Sequence, residues 1–387
     1  MFRRSALPGA ASLAVVLLAA AGCDIQLSGA APTAGAVQAG TSGVTRSGPL
    51  IVEPGAGFSP VYRLINGARH SIDVTMYEFS DTTAERDLAA AAGRGVRVRV
   101  ILDQRERSAN SGAYAYLSSH RVTVTWSSPD YRYTHQKTVI IDGAKAVIMT
   151  ANLTSRYYAT SRDFLMIDTE RADVSAITAV FDADFTGTAV RPGDGSHLVW
   201  SPTDSEDRLL GLINGARSSL HIYSEEMGDR TVENALVKAA ERGVAVQVCG
   251  ENESGEYDRA YAKLARARIR ISYYSSSAGF YIHGKVVEAD YGTARAKVFI
   301  GSENFSSTSL NQNRELGLII SSHPAMSDRQ HLRRGLQERQ ALVLTLTATM
   351  RGRGIHAVST GAAAATAAAA CRPRAGGPRP CSVPWCR

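Results

Sequence analysis

Cysteine is scarce in this chain, and its placement excludes a structural zinc site. Four of the five cysteines belong to the end segments, and only Cys249 lies in the body, within the apolar run VAVQVCG. A zinc site needs paired cysteines or histidines at ligand spacing, and the sequence has no such cysteine pairs beside histidines. We therefore predict that Cys249 is a buried packing residue rather than a nucleophile or a metal ligand.

Long apolar runs are also missing. The run Leu13–Ala21 follows Arg3 and Arg4 but is too short to cross a bilayer, and its layout is typical of a secretory signal. The ending LAAAGC resembles a bacterial lipoprotein signal, in which Cys23 becomes the lipidated first residue; ordinary cleavage nearby is the alternative. We expect an extracytoplasmic protein that is either anchored to the cell membrane as a lipoprotein or secreted.

The two ends differ in composition from the body of the chain. Residues 1–22 form the predicted signal peptide, and residues 23–49, rich in Ser, Gly, Ala, Thr and Pro, are predicted to be a flexible tether. Residues 351–387 contain GAAAATAAAA and a Pro/Arg/Gly segment. That composition predicts a disordered low-complexity tail.

The body of the chain also lacks an excess of positive charge. The whole chain carries a formal charge of +7, with 43 basic and 36 acidic residues. Eight of the basic residues belong to the predicted signal peptide and the predicted tail: Arg3, Arg4, Arg351, Arg353, Arg372, Arg374, Arg379 and Arg387. Removing these eight leaves 35 basic residues against 36 acidic ones, a net charge of −1. Nonspecific nucleic-acid binding depends on many cationic contacts to phosphates, so the near-neutral body disfavours it.

The body contains an internal duplication. LINGARHSIDV begins at Leu64 and LINGARSSLHI begins at Leu212, which is 148 residues later. His135 and His283 are separated by the same interval. The duplication predicts two lobes, at residues 50–190 and 198–325, joined near the segment RPGDG.

Each copy alternates predicted strands with predicted helices. Ser71–Tyr77 and Ser219–Tyr223 have strand patterns, and the Ala/Leu-rich stretches near Thr83–Ala92 and Thr231–Ala240 have helical periodicity. Such alternation predicts an α/β fold in which each lobe is a mixed β-sheet flanked by helices. We expect the two lobes to pack with their sheets adjacent, about a pseudo-twofold axis.

A short motif occurs once in each copy, as THQKTVIID and as IHGKVVEAD. Both read His-x-Lys-x-x-x-x-Asp, with His135 and Lys137 in the first copy and His283 and Lys285 in the second. The chain has only six lysines, and two of them stand two places after a histidine. The β-branched residues predict a strand, on which residues two apart share a face.

The repeated motif suits a tetrahedral anion. Two ammonium groups can grip it from two sides while one imidazole attacks and the other donates a proton, as phosphodiester chemistry requires. Asn152 and Asn304 can donate amide hydrogens to phosphoryl oxygens. Asp163 and Glu315 each follow an asparagine by eleven residues and are candidates to hold Nδ1–H of a histidine. Glu225 and Glu226 are predicted to be a polar pair at a strand end, with a role in the wall of the site as the less favoured alternative.

These residues resemble the HKD motif of the phospholipase D superfamily. The resemblance covers roughly Leu50–Ile320, and both copies are complete in His, Lys, Asp and Asn. The first copy has Thr150 where the second has Ser302, which keeps the hydroxyl group that belongs to the motif. For Asp142 and Asp290, at the far end of each motif, we expect a structural role in a turn.

The resemblance implies a mechanism with a phosphohistidine intermediate. His135 is the expected nucleophile and His283 the expected acid and base, with the reverse assignment left open. Two lysines and two asparagines take the place of the metal that other phosphodiesterases use, so neither a metal nor another cofactor is expected.

We expect phospholipase D-type hydrolysis or transphosphatidylation of phospholipids at a membrane surface reached through the lipid anchor. A monomer is expected because one chain carries both motifs. A secreted, metal-independent nuclease is the alternative, and a noncatalytic protein that binds phosphate esters at the cell surface is the third possibility.

Overall fold

The computed structural model describes residues 50–321, which form two lobes of the same design. The predicted signal peptide, tether and tail and the proposed lipidation site Cys23 lie outside these residues. The buried Cys249 lies inside them, on a central strand of the second lobe. Within residues 50–321, no helix combines the length and the apolar composition that a membrane crossing requires.

The first lobe contains one sheet and four α-helices. Its strands are β1 (Leu50–Glu53), β2 (Ser71–Met76), β3 (Arg97–Leu102), β4 (Thr123–Trp126), β5 (Lys137–Ile141), β6 (Lys145–Met149) and β7 (Ser161–Asp168). Its helices are α1 (Ser59–Gly67), α2 (Thr82–Gly93), α3 (Arg107–Ser119) and α4 (Arg171–Thr186). The strand order is β1-β7-β6-β5-β2-β3-β4, in which β2, β3 and β4 are parallel and the other pairs are antiparallel.

The second lobe repeats this design. Its strands are β8 (Leu198–Ser201), β9 (Ser219–Ser224), β10 (Ala245–Glu251), β11 (Arg270–Tyr274), β12 (Tyr281–Ile282), β13 (Val286–Ala289), β14 (Lys297–Gly301) and β15 (Glu315–Ser321). Its helices are α5 (Ser205–Gly215), α6 (Arg230–Glu241), α7 (Asp258–Arg266) and α8 (Ser307–Asn311). The order β8-β15-β14-β13-β9-β10-β11 reproduces that of the first sheet. The prediction of two mixed sheets flanked by helices is confirmed.

Matching helices begin in the same way in the two copies. Asp81 caps α2, where its carboxylate accepts hydrogen bonds from the amides of Thr83 and Ala84 at 2.9 and 3.2 Å. Asp229, 148 residues later, caps α6 with bonds of 2.8 and 2.9 Å. An aspartate at this position satisfies amides that have no partner within the helix. The duplicated sequence therefore starts equivalent helices at equivalent places.

The lobes share a third hydrophobic core besides the one beneath the helices of each lobe. It combines inward-facing residues of both sheets, such as Phe164, Trp200 and Ile300, with the apolar face of α4. Strand β12 of the second lobe also pairs in parallel with β7 of the first lobe. The inner face of each sheet is thus covered largely by the other lobe, which fixes the two motif strands relative to each other.

The predicted motif strands begin later than the sequence pattern suggests. In the first copy, β5 begins at Lys137, and His135 precedes it. The amides of His135 and Gln136 donate to the carbonyl of Arg314 in the second lobe at 3.0 and 3.1 Å. His283 likewise precedes β13, and its amide donates to the carbonyl of Arg162 at 3.2 Å. The backbone at each histidine bonds across the lobe boundary, which a local strand pattern does not reveal.

Candidate active site

Each motif histidine is held by a carboxylate of the opposite lobe. Nδ1 of His135 lies 2.8 Å from Oε2 of Glu315, and Nδ1 of His283 lies 2.8 Å from Oδ1 of Asp163. A carboxylate at Nδ1 accepts the hydrogen bond from Nδ1–H. In the neutral ring Nε2 then carries the lone pair, and in the protonated ring Nε2 carries the second proton. Both histidines therefore have Nε2 left to act on a substrate.

Both carboxylates have further hydrogen-bond donors. Thr150 and Ser161 each donate to Asp163 at 2.6 Å. Burial raises the pKa of Asp163, but the charge of His283 and these bonds outweigh it and lower that pKa to about 2. The carboxylate of Asp163 is therefore ionised at neutral pH and stabilises positive charge on His283.

Glu315 is held in the same manner. Asn313 donates to it at 2.8 Å, and the hydroxyl of Ser309 donates to the same oxygen. Burial opposes ionisation of Glu315, yet His135 and Lys137 hold its pKa below the usual value. Burial also disfavours the charged form of His135. Because that form is the protonated one, burial lowers the pKa of His135 to about 4, despite the attraction of Glu315. His135 is thus neutral at physiological pH, as a nucleophile must be.

The two motif lysines are fully buried behind the histidines. Nζ of Lys137 donates to the carbonyl of His135 at 2.6 Å, and Nζ of Lys285 donates to the carbonyl of His283 at 2.6 Å. Burial, followed by the charge of Lys285, lowers the pKa of Lys137 to about 7. Each lysine therefore fixes the backbone of its own histidine and places a cation close to the imidazole.

Glu225 is a site residue that the sequence interpretation did not favour. Glu225 and Glu226 follow Ser224, the last residue of β9, as predicted, but both side chains also line the cavity between the lobes, which was the less favoured interpretation. Oε2 of Glu225 lies 2.6 Å from Nζ of Lys285 and 3.7 Å from Nε2 of His283. The signal that could have revealed it is the duplication, which aligns Glu225 with Tyr77, a different kind of residue 148 positions earlier.

The two predicted amide donors differ in their contacts. Nδ2 of Asn304 donates to Glu225 at 3.1 Å and to Glu226 at 3.0 Å, so its hydrogens meet carboxylates. Asn152 lines the same cavity, and its Oδ1 is buried without a hydrogen-bond partner among residues 50–321. The hydroxyl of Ser302 accepts the amide of Leu316 at 3.2 Å. Donation from the two asparagines to phosphoryl oxygens stays a prediction.

The last residue of each motif lies in a turn, away from the histidines. Asp142 has a positive φ of 54°, and its carboxylate accepts the amides of Arg69, His70 and Ser71 at 2.7 to 3.1 Å. Asp290 has a φ of 55° and accepts the amides of Arg217 and Ser218 at 2.8 and 2.6 Å. Aspartate tolerates this backbone region better than most residues, and its oxygens close the turn.

The histidines line one cavity of about 520 Å³, which we call the cleft. Its walls carry many glutamates and tyrosines: Glu78, Glu225, Glu226, Glu251, Glu253, Glu256, Tyr77, Tyr157, Tyr158, Tyr257 and Tyr281. Among the described residues that line the cleft there is no lysine or arginine. Lys137 and Lys285 lie behind the histidines and are buried, and Arg156 lies on the ring of the wall residue Tyr157.

The cleft has no evident metal-binding cluster. In residues 50–321, no three His, Cys, Asp or Glu side chains are placed to hold a metal ion together. The carboxylates nearest the histidines bond instead to imidazole, ammonium, hydroxyl and amide groups.

Comparison with known proteins gives a consistent family. A family model described as "Cardiolipin synthase, PLD-like domain" matches residues 61–185 and again residues 209–334. Mitochondrial cardiolipin hydrolase of Xenopus tropicalis is 28% identical over 33% of this chain and 60% of its own length. Cardiolipin synthase C of Escherichia coli K12 is 30% identical over 32% of this chain and 30% of its own length.

A solved structure shows the likeness at the level of the fold. Phosphatidylserine synthase of Haemophilus influenzae Rd KW20 matches with a TM-score of 0.54 and 12% identity. The match covers 74% of this chain and 86% of that protein. The two-lobed architecture therefore extends through the whole described part of the chain.

Proposed function

The chain belongs to the phospholipase D superfamily, in the group of cardiolipin synthase-like domains, and from this premise we propose that it cleaves the phosphodiester of a phospholipid. The reaction is hydrolysis, or transfer to another alcohol, through a phosphohistidine. The observation that carries the proposal is the pair of histidines in one cleft, each held at Nδ1 by a carboxylate of the other lobe.

In the proposed first step, Nε2 of His135 attacks phosphorus and the bond from phosphorus to the leaving oxygen breaks. The leaving alkoxide takes a proton from Nε2 of His283. Glu315 stabilises the positive charge that develops on His135, and Lys137 and Lys285 stabilise the charge on the phosphoryl oxygens. General acid catalysis of this kind is worth about 10²- to 10⁴-fold in rate.

In the second step, the neutral Nε2 of His283 removes a proton from water, whose oxygen attacks the phosphorus of the intermediate. The bond from phosphorus to Nε2 of His135 breaks, and its electron pair returns to the ring. Another alcohol in the place of water gives transphosphatidylation. His135 is the nucleophile in the first step and the leaving group in the second, and His283 is first the acid and then the base. The reaction therefore needs both copies of the motif.

The acidic walls favour a lipid over a nucleic acid as the substrate. A nucleic-acid strand carries further phosphates on each side of the one being cleaved, and the ionised glutamates of the cleft repel them. Burial raises the pKa of Glu226 and of Glu251 to about 7, so these two add to the repulsion mainly above neutral pH. A phospholipid such as phosphatidylcholine or phosphatidylglycerol brings a single phosphodiester to the two lysines. Tyr157, a wall residue that is 39% exposed, is of the amphipathic type suited to a lipid interface.

The substrate class is tested with the purified protein in EDTA. Vesicles of phosphatidylcholine and of phosphatidylglycerol are compared with single- and double-stranded DNA, and the released alcohol or nucleotide is measured. We expect lipid turnover that EDTA does not abolish and that His135→Ala and His283→Ala each remove. Cleavage of DNA without lipid turnover would establish the nuclease alternative, and binding of lipid without turnover would establish a noncatalytic protein.

We also propose that the protein acts outside the cytoplasm, attached through Cys23. Support comes from the apolar run Leu13–Ala21 followed by Gly22 and Cys23. Metabolic labelling with a fatty acid in a bacterial host should mark the protein, and Cys23→Ala should remove the label. Release of an unlabelled wild-type protein into the medium would instead indicate a secreted enzyme.

A further inference from the structure

The two halves of the pseudo-symmetric cleft differ at several equivalent positions, and one of these is the pair Tyr77 and Glu225. The ring of Tyr77 lies 4.5 Å from the ring of His135, and Nζ of Lys137 lies 4.8 Å from its centroid. Glu225 meets the corresponding groups of the second lobe, His283 and Lys285, with a carboxylate instead of a ring. Both histidines have a tyrosine ring nearby, Tyr77 at His135 and Tyr281 at His283, but only His283 also has a carboxylate near its Nε2 among the described residues.

The carboxylate of Glu225 is fixed in place and ionised. The hydroxyl of Tyr281 donates to its Oε1, and Asn304 and Lys285 both donate to its Oε2. Burial alone would raise the pKa of Glu225, but the charges of Lys285 and His283 hold it well below the usual value. Glu225 is thus a permanent negative charge beside Nε2 of His283.

The charges around the two histidines are unequal as a result. His283 lies between two carboxylates, with Asp163 at Nδ1 and Glu225 3.7 Å from Nε2. His135 has a carboxylate at Nδ1 alone, and the positive charges of Lys137 and Lys285 oppose its protonation. Negative charge therefore lies beside both ring nitrogens of His283, whereas at His135 it lies beside Nδ1.

Other titratable groups surround the same histidine. They are Asp163 of β7, Glu226 after β9, Glu251 of β10, Tyr281 of β12, Lys285 of the same motif, and His135 and Lys137 across the cleft. Among them, Asp163 and Glu225 are the carboxylates with ring nitrogens of His283 within 4 Å. Glu225 is the carboxylate on the Nε2 side, where a substrate binds.

We propose that Glu225 is a positioning residue that holds the proton on Nε2 of His283, so that His283 protonates the leaving alcohol and His135 attacks phosphorus. This inference rests on the proposed two-histidine reaction and decides the direction in which it runs. The proton passes from Nε2 of His283 to the leaving oxygen as the bond from phosphorus to that oxygen breaks. His283 is then neutral and ready to accept a proton from water in the second step.

The test compares two diesters with different needs for an acid. The leaving alcohol of a soluble short-chain phosphatidylcholine requires a proton, whereas nitrophenolate from bis(4-nitrophenyl) phosphate leaves without one. We expect Glu225→Gln to lower turnover of the choline ester by about 10²-fold or more while the first-turnover burst of nitrophenolate changes less than about threefold. The alkaline limb of kcat/KM for the choline ester should move to lower pH, because the charge beside Nε2 of His283 is removed.

Two variants make the comparison specific. Glu225→Asp keeps the charge and should restore a large part of the choline-ester activity. Glu226→Gln removes the neighbouring carboxylate, which also accepts from Asn304, and should leave the ratio of the two activities unchanged. Thermal melting of each variant shows whether the fold is retained.

Three results would overturn the assignment. Equal losses on both diesters would mean that Glu225 acts only by holding Lys285. Gains on both would mean that its carboxylate obstructs phosphate binding. An unchanged variant would mean that His283 needs no help from Glu225. A wild-type protein that turns over neither diester would instead refute the proposed function itself.

Discussion

Nδ1 of His283 and Oδ1 of Asp163 lie 2.8 Å apart although 120 residues separate them in the chain. The reciprocal pair, His135 and Glu315, spans 180 residues and has the same distance. Each lobe thus supplies a histidine to its own half of the cleft and a carboxylate to the other half. Neither lobe has a complete catalytic pair by itself, so the chemistry depends on how the lobes dock.

We predict that exchanging either carboxylate for an amide lowers kcat strongly. Asp163→Asn and Glu315→Gln each remove the charge that fixes the tautomer and stabilises the imidazolium, at a cost of about 10²- to 10⁴-fold. Lipid turnover and thermal melting are measured together. Asp182→Asn, at an exposed partner of Arg99, is the matched control and should retain full rate. Full activity in Glu315→Gln would show that His135 does not require this partner.

A covalent intermediate should accumulate when the second step is blocked. His283→Ala retains His135, and nitrophenolate leaves without a proton, so bis(4-nitrophenyl) phosphate should phosphorylate the variant. Without a base to activate water, the adduct should persist. Mass spectrometry after digestion should locate it on the peptide that contains His135, and His135→Ala should give no adduct. An adduct on His283 of the latter variant would reverse the assignment of nucleophile.

The pH dependence follows from the burial of His135. Burial, opposed in part by Glu315, lowers its pKa from 6.5 to about 4, so the nucleophile stays neutral well below pH 6.5. We expect the acid limb of kcat/KM near pH 4 to 5. An acid limb centred near pH 6.5 would contradict a lowered pKa for the nucleophilic histidine.

Stability should change in the same pH range. Between pH 6.5 and about 4, His135 is protonated in the unfolded chain but not in the native state. The free energy of unfolding therefore rises with pH in this range and falls as the pH is lowered. His135→Ala removes this contribution. Urea unfolding at several pH values should therefore show a smaller loss of stability on acidification in the variant than in the wild type.

Lys137 should be needed for turnover but not for stability. Its ammonium is fully buried and its pKa is lowered to about 7, so burial of the charge opposes folding. Lys137→Met keeps much of the volume without the charge, and we expect an unchanged or higher Tm with kcat lowered about 10²- to 10³-fold. Lys145→Met, at an exposed position on β6, is the control and should retain activity. A Lys137→Met enzyme with normal kcat would exclude a role for this charge.

The aspartate that ends the first motif should affect stability rather than chemistry. Asp142→Ala leaves three backbone amides without their acceptor and places alanine at a φ of 54°, a combined loss of about 1–3 kcal/mol. Denaturant unfolding measures this loss. kcat at a temperature where the variant is folded should stay within about twofold of wild type. A large drop in kcat without a loss of stability would show that this turn positions the motif strand.

Much of this architecture is predictable from sequence because it repeats. The interval of 148 residues predicts two lobes, and the local patterns predict strands and helices in each; the two mixed sheets and the membership of the phospholipase D superfamily are confirmed. The repeated motif also places each lysine two residues after its histidine, at the start of a strand. These features depend on residues near one another in the chain, whose periodicity and caps act locally.

The partners of those residues are a property of tertiary structure. Sequence spacing identifies Asp163 and Glu315 as acidic candidates, but only the packing of one sheet on the other determines that each reaches the histidine of the opposite lobe. Glu225 was missed for the same reason, since its role depends on Lys285 and His283 lying within 4 Å of it. The sequence by itself determined which groups are available and that they occur twice. Burial between the lobes decided their charges and contacts, because desolvation and close approach act only after the chain has folded.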